Sequence, residues 1–523
     1  MTTNGHVHYH QLTRWPGVRA NVDALEFSRY MNQRPIFGAS AGRVDTPAWA
    51  RDAIFYQIFP DRFAKSDRVI KPNGLETWDS DPTDHGYKGG DLRGVTEHLD
   101  YLIDLGINAI YFCPIFQSAS NHRYHTNDYF QIDPLLGGQD AFDEMLDACH
   151  ERGIRVVLDG VFNHCGRGFF QFNDILENGA ASPWLDWFTI KSLPLDAYDH
   201  SDPPNYEAWY NLHPLPKFNT DNPQVREFVM QVGEHWMRAG IDGWRLDVPN
   251  EITTPGFWQE FRDRIKAINP DAWICGEIWR DAQEWLKGDQ FDSTMNYPFT
   301  ESALAYAGRD HVVRELQEGR GYSPWPGIDA PTWADKIDQL LGRYDWNVTT
   351  SQLNLLGSHD TARAITLIGN NRRSLELAAL LLFVYPGAPS IYYGDEIGLS
   401  GGLPDKWARK TFPWDGLTWD IELRQLYKTL IAIRQRFSSL RIGTWQTIAV
   451  GIDTVAILRR HDDDDLLIVL NTGEASETVR IDGVRPVLNQ FTLGDQPIVS
   501  TTGIGAEISV PARSAAIFTV RDV

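Results

Sequence analysis

The sequence predicts an α/β protein: a (β/α)8 TIM barrel, a small domain inserted after its third strand, and a C-terminal antiparallel β-sandwich. Three observations point there. A helix-sized apolar stripe, a glycine or proline stop and a short apolar run recur in that order along the middle of the chain. Eight such runs can be counted. After about residue 439 the texture changes to strand-like runs between turn clusters. An open doubly wound sheet is the rival architecture. It would need a glycine-rich phosphate loop after an early strand, and none is present.

The elements follow in order. Residues 1–45 are polar and irregular and read as an arm. The barrel takes residues 46–438. One unit shows the pattern: Phe142, Met145, Leu146 and Cys149 share a helix face, Gly153 ends the helix, and Ile154-Arg-Val-Val-Leu-Asp159 follows as a strand. Val225 to Trp236, Gly240 and Gly243-Trp-Arg-Leu-Asp247 repeat it. The eight candidate strands are Ala53–Phe59, Ala109–Cys113, Arg155–Val161, Gly243–Val248, Trp273–Ile278, Ser293–Tyr297, Gln352–Leu356 and Ser390–Tyr393. At about residues 165–218 periodicity lapses into a Pro-, Asn- and Trp-rich stretch, the expected insert, domain B. Its Trp184, Trp187, Tyr206, Trp209 and Tyr210 are expected to frame a cleft. Residues 439–523 form the β-sandwich, with Asp462–Asp465 as a solvated turn.

Composition removes several function classes. Lys and Arg total 48 against 70 Asp and Glu, a net charge of −22, which argues against a nucleic-acid partner. Met1 to Ala20 has no apolar leader segment and no stretch reaches transmembrane length, so the expectation is a cytoplasmic chain without a membrane partner. Cys113, Cys149, Cys165 and Cys275 show neither zinc nor disulfide spacing and are expected to be reduced and buried. Nineteen tryptophans are an excess that suits stacking on sugar rings or bases.

Reactive groups of such a barrel sit at the C-terminal strand ends. There the sequence places Asp159 with His164, Arg245 with Asp247, Glu277, and His359 with Asp360. Any one of these acids alone would read as a loop cap. Their recurrence in successive units does not. Paired carboxylates suit glycoside hydrolysis, one attacking the anomeric carbon and one protonating the leaving oxygen. Crowding and burial would raise the acid's pKa, while Arg245, two residues before Asp247, would hold the nucleophile ionised. A metal-dependent barrel hydrolase is the competing chemistry, and an arginine inside the cluster counts against it.

These segments resemble the α-amylase superfamily, glycoside hydrolase family 13, over roughly residues 50–520. The resemblance rests on Asp159-Gly-Val-Phe-Asn-His164, Gly243-Trp-Arg-Leu-Asp-Val248, Gly276-Glu-Ile-Trp279 and Leu356-Gly-Ser-His-Asp360. It implies Asp247 as nucleophile, Glu277 as general acid/base and Asp360 as the third catalytic carboxylate. It implies Arg245, His164 and His359 as hydrogen-bonding partners of the same sugar ring, Tyr124 as the tyrosine stacked on it, and Asp159 as a structural neighbour. Trp279 is a candidate wall for the leaving-group sugar. Leu215-Pro-Lys-Phe-Asn219, Met295-Asn-Tyr-Pro-Phe299, Gly89-Gly-Asp-Leu-Arg-Gly94 and Asn250-Glu251 are similar to the neopullulanase, cyclomaltodextrinase and maltogenic amylase group. Asn250 and Glu251 are therefore binding candidates as well.

Three departures qualify the resemblance. The group begins with an extra β-domain, whereas here about 45 residues precede the barrel, which leaves the oligomeric state open. The group's calcium loop is altered: Lys65, Ile70 and Lys71 replace oxygen ligands, so the calcium site is expected to be lost and no cofactor is required. Pro249 precedes Asn250 and stiffens the turn after the nucleophile. The function implied is retaining hydrolysis of α-1,4, and also α-1,6, bonds in maltooligosaccharides, cyclodextrins or pullulan, with transglycosylation when a sugar replaces water. A sucrose- or trehalose-converting relative and an inactive glucan-binding protein are the alternatives.

Overall fold

The computed structural model describes residues 34–199, 203–317, 324–462 and 464–523. Most of the arm therefore lies outside the described residues. Its last part is anchored: Phe37 exchanges backbone hydrogen bonds with Trp445, and Arg34 pairs with Asp335 and Asp338.

Eight parallel strands form one sheet. They are β1 (Phe55–Ile58), β2 (Ala109–Phe112), β5 (Arg155–Gly160), β6 (Gly243–Leu246), β7 (Trp273–Gly276), β8 (Ser293–Thr294), β9 (Leu353–Leu355) and β10 (Ala388–Tyr392). β3 (Phe116–Ser118) and β4 (Thr126–Ile132) form a separate hairpin after β2. The order β8-β7-β6-β5-β2-β1-β10-β9 runs around a barrel, and a parallel bridge from Met295 to Leu353 joins its two ends. Each strand anticipated from the sequence is present, and several are a residue or two shorter at their ends. β8 is the shortest, because Asn296 turns the chain into the helix Tyr297–Gly308, whose N-terminus its side chain caps.

Apolar side chains fill the lower barrel. Phe55 stacks on Trp273 at 4.9 Å, with Tyr111, Val157, Met295 and Leu355 in the same cluster. The short helix Ala48–Asp52 closes that end, setting Trp49 against both rings. Polar side chains are thereby left to the opposite, C-terminal mouth.

The insert after β5 has its own core. Phe172 packs edge-on against Phe188 and Tyr206 at 5.1 and 5.0 Å, with Phe218 stacked on Phe188. Beyond the helix Ser438–Ile442, a five-stranded antiparallel sheet faces a three-stranded one across an apolar layer that includes Leu467, Val469, Ile481 and Ile508. The acidic run is not a solvated turn throughout: Asp464 and Asp465 open the strand Asp464–Asn471, and Asp464 accepts from the Ser438 and Ser439 N–H groups and caps that helix. Asp463 lies outside the described residues.

Candidate active site

Strand register builds the site. Asp159 on β5 lies beside Arg245 on β6. The Asp247 N–H donates to Gly160 O and the Glu277 N–H donates to Leu246 O, so the ladder runs one residue past each strand and pins both acids. The Arg245 guanidinium is fully buried among them. Its Nη1 lies 2.9 Å from Asp159 Oδ1 and 3.0 Å from Asp247 Oδ1, and its Nη2 lies 2.9 Å from Glu277 Oε2. Three carboxylates from three neighbouring strands thus share one cation.

Glu277 has two further donors, the Trp279 Nε1–H to Oε1 at 3.0 Å and the Val248 N–H to Oε2 at 3.1 Å. Trp279 is held face to face with Tyr297, ring centroids 3.7 Å apart, and the Tyr297 hydroxyl reaches Ser358 Oγ at 3.0 Å. Val248 occupies the left-handed region, φ 36° and ψ 51°, a strained conformation for a β-branched residue. That turn aims its N–H at the acid.

A second cluster abuts the first. The Tyr124 hydroxyl donates to Asp159 Oδ2 at 2.8 Å, and Tyr111 adds a bond to the same oxygen at 2.9 Å. The Tyr124 ring is stacked on His359 at 5.2 Å, and its oxygen lies 2.6 Å from His359 Nε2. The Gln57 amide donates to His359 Nδ1 at 2.9 Å. With Nδ1 accepting, the proton resides on Nε2, which faces Tyr124 and Asp360 Oδ2 at 3.0 Å. Arg409 binds the His359 carbonyl at 2.8 Å and approaches Asp360 Oδ1 at 3.3 Å. Asp360 is the most accessible of the acids, its side chain 29 % exposed.

Burial drives Asp159, Asp247 and Glu277 above the usual carboxylate range, and repulsion from Glu277, Asp159 and Asp360 adds to it at Asp247, as repulsion from Asp360 does at Glu277. This differs from the expectation that Arg245 would hold Asp247 ionised and only the acid would rise. The guanidinium opposes the shift, but one positive charge against three buried acids does not cancel it. The set binds protons jointly, so one carboxyl can carry a proton while a neighbour stays ionised. Burial also lowers His164, to about 3, and His359, so both imidazoles are neutral hydrogen-bonding groups.

Asp247, Glu277, Asp360, Arg245, His359, Tyr124 and Trp279 thus come together at one mouth. His164 is next to Tyr124's backbone, with its ring 5.4 Å from Trp209. Asn250 and Glu251 are exposed on the rim turn, where Glu251 lies 3.6 Å from Lys217 of the insert. Two expectations need correction. Trp187 and Tyr206 do not frame the cleft: they are buried in the insert's core, and Trp184 packs on Trp187 at 5.1 Å. Trp209 and Tyr210 alone of that set extend from the His164 side. Trp279, expected as a wall, also hydrogen-bonds the acid. Sequence reading missed Gln57, Arg409 and Tyr297. The available signals were a glutamine inside the apolar run Phe55-Tyr-Gln-Ile58 and, for Tyr297, its place in the segment Met295-Asn-Tyr-Pro-Phe299.

The loop after β1 does not suit a calcium ion. Lys71 Nζ lies 2.9 Å from the fully buried Asp91 carboxylate and donates to Leu135 O at 2.7 Å. Lys65 lies over the Trp78 ring, and Ile70 is exposed. A hard cation needs six or more oxygens, and here an ammonium already takes the carboxylate.

Residues 57–412 match the family model "Alpha amylase, catalytic domain". A cyclomaltodextrinase from a Bacillus species is 45% identical over 438 residues, 83% of this chain and 75% of that protein. Neopullulanase 2 of Thermoactinomyces vulgaris is 39% identical over 91% of this chain and 77% of its own length. Among solved structures, the native debranching enzyme of Nostoc punctiforme superposes with a TM-score of 0.85 at 50% identity, covering 91% of this chain and all of that one.

Proposed function

The chain belongs to the alpha-amylase family, and from that premise we propose that it is a retaining α-glucan hydrolase acting on maltooligosaccharides, cyclodextrins and pullulan. It cuts α-1,4 and also α-1,6 glucosidic bonds. The observation that carries the reading is the single Arg245 guanidinium holding Asp247 on one terminal nitrogen and Glu277 on the other. Two carboxylates held at the two ends of one guanidinium are presented to the same bound sugar, which supports an acid and a nucleophile acting on one bond.

Asp247 attacks the anomeric carbon while Glu277 delivers its proton to the departing glycosidic oxygen, leaving a glucosyl ester on Asp247. Glu277, now a carboxylate, takes a proton from water, whose oxygen attacks the same carbon and releases Asp247. When the acceptor is a sugar hydroxyl, the same step is transglycosylation. Asp360 accepts from ring hydroxyls, bonds that strengthen as positive charge develops at the anomeric carbon, and the Nε2–H of His359 holds that carboxylate in place. No step calls on a metal, and the Lys71 ion pair supports activity and folding without calcium. The four buried, unpaired cysteines support a reducing compartment such as the cytoplasm.

The test is chromatography of products from maltotriose, β-cyclodextrin, pullulan and soluble starch, with sucrose and trehalose alongside. Maltose and glucose from the α-glucans, abolished in Asp247→Ala, are expected. Conversion of sucrose or trehalose alone would leave the chemistry intact and overturn the substrate assignment.

A further inference from the structure

We propose that Arg363 is a positioning residue for the hydrolysis: it clasps the loop 401–408 at both ends, so that Arg409, the next residue, holds His359 and Asp360 at the bound sugar. The role rests on the hydrolase reading above and adds to it a residue that touches no substrate.

Arg363 lies three residues past Asp360 and is fully buried. Its backbone N–H donates to Gly401 O at 2.9 Å, and its Nε–H donates to Ala408 O at 3.0 Å. One residue thus ties both ends of the loop. A side chain at Gly401 would put its Cβ 2.0 Å from Trp407 O, so the loop closes only around a glycine. The guanidinium is itself fixed. Its carbon lies 4.3 Å from the Tyr392 ring and 4.8 Å from the Tyr393 ring. Its Nη1 donates to Tyr393 O at 2.7 Å and to Asp395 Oδ1 at 2.8 Å.

The chain beyond the loop hangs on the barrel in the same way. The Tyr392 hydroxyl joins Arg363 on Ala408 O at 3.3 Å, Arg62 Nη1 donates to Arg409 O at 2.8 Å, and the Tyr393 hydroxyl donates to Lys410 O at 2.6 Å. Three successive carbonyls held by side chains fix the backbone from which Arg409 reaches the His359 carbonyl and Asp360 Oδ1. Folding alone does not account for this arrangement. A buried ion pair gains little over apolar side chains of similar volume, and Arg363 Nη2 has no hydrogen-bond partner among the described residues. What the clasp supplies is aim. Asp360 is partly exposed and takes its orientation from His359 Nε2 and Arg409. A displacement of about 1 Å at a reacting group can cost about 100-fold.

The experiment is a double-mutant cycle on maltotriose with Arg363→Lys and Arg409→Met. Lysine keeps the charge beside Asp395 and loses the fork that also holds Ala408 O. Arg363→Lys is expected to lower kcat/KM about 10- to 100-fold, with the larger share in kcat. The double variant should be no worse than Arg409→Met, because the clasp acts through that residue. Losses that multiply, or an unchanged kcat/KM in Arg363→Lys, overturn the role. If Arg363→Lys does not fold, Tyr392→Phe decides, since it removes the other donor to Ala408 O and keeps the ring. A fall of about threefold that Arg409→Met absorbs supports the clasp, and no fall or a multiplying one overturns it. Calorimetric binding of maltoheptaose in an Asp247→Asn background repeats the cycle without turnover. There the clasp variant should bind about three- to tenfold more weakly, the scale of one hydrogen bond, again absorbed by Arg409→Met. Suppose wild type hydrolyses no glucan, yet binding shows that coupling. Then the hydrolase reading fails and the clasp stands. Active wild type with multiplying losses sinks the clasp alone, and inactive wild type without coupling in binding sinks both.

Discussion

Replacing Trp279 with phenylalanine removes one hydrogen bond from Glu277, the proposed general acid, while keeping an aromatic ring against Tyr297. The lost donor is the indole N–H, 3.0 Å from Glu277 Oε1. A donor to an ionised carboxylate contributes about 1.5–3 kcal/mol, against about 0.5–1.5 kcal/mol for a neutral acceptor. The bond therefore favours the ionised acid by about 1–1.5 kcal/mol, and its loss raises the apparent pKa by about one unit. Catalysis needs the acid protonated, so the alkaline limb of kcat/KM against pH should move up by about one unit, with maltotriose as substrate. That limb belongs to the coupled acids as a set, which is why the limb is the readout. The acid limb, where the nucleophile becomes protonated, should move less. An alkaline limb that stays in place, or moves down, in a folded Trp279→Phe protein would refute the argument that this indole tunes the acid.

Three other outcomes follow from the same geometry. Gln57→Leu removes the donor that sets the His359 tautomer, so kcat/KM should fall about 10- to 100-fold with an unchanged circular dichroism spectrum. Lys71→Met leaves the Asp91 carboxylate buried without its counter-charge and should cost about 2–3 kcal/mol in urea unfolding, while a chelator leaves the wild-type midpoint unchanged. Acid should destabilise the protein early: burial lowers His125 to about 4 and His164 to about 3. Each stabilises fully above the unfolded histidine pKa of about 6.5 and loses that contribution as pH falls toward its folded value. Between pH 6.5 and 5 each costs about 2 kcal/mol. Urea midpoints at pH 7 and pH 5 measure the difference, and His125→Gln should shrink it by that amount.

Much of this was readable in the residues because barrel units are local. Phe142 to Asp159 contains its own helix face, stop and strand, and the carboxylates stand at strand ends whatever the rest of the chain does. What stayed hidden depends on distance along the chain. Gln57 meets His359 and Tyr297 meets Ser358 only once the barrel has closed. The insert misled for another reason. Its aromatic richness fits a cleft lining and a small independent core equally well, and Trp187 and Tyr206 turn out to serve the core. The acid pKa values also eluded sequence reading, since the order of Arg245 and Asp247 shows that they pair but not how completely water is removed around them.

One cation shared by three acids has a price in folding. Neutralising any one of the three, as in Asp247→Asn, relieves repulsion that the native protein sustains, so a dead enzyme should be the hardier protein. Drift toward greater durability therefore runs directly toward loss of activity at this spot, and only continued use of the reaction keeps the crowded arrangement in place. A screen of random variants for heat resistance alone would be expected to recover inactive proteins altered at Asp247 or Glu277.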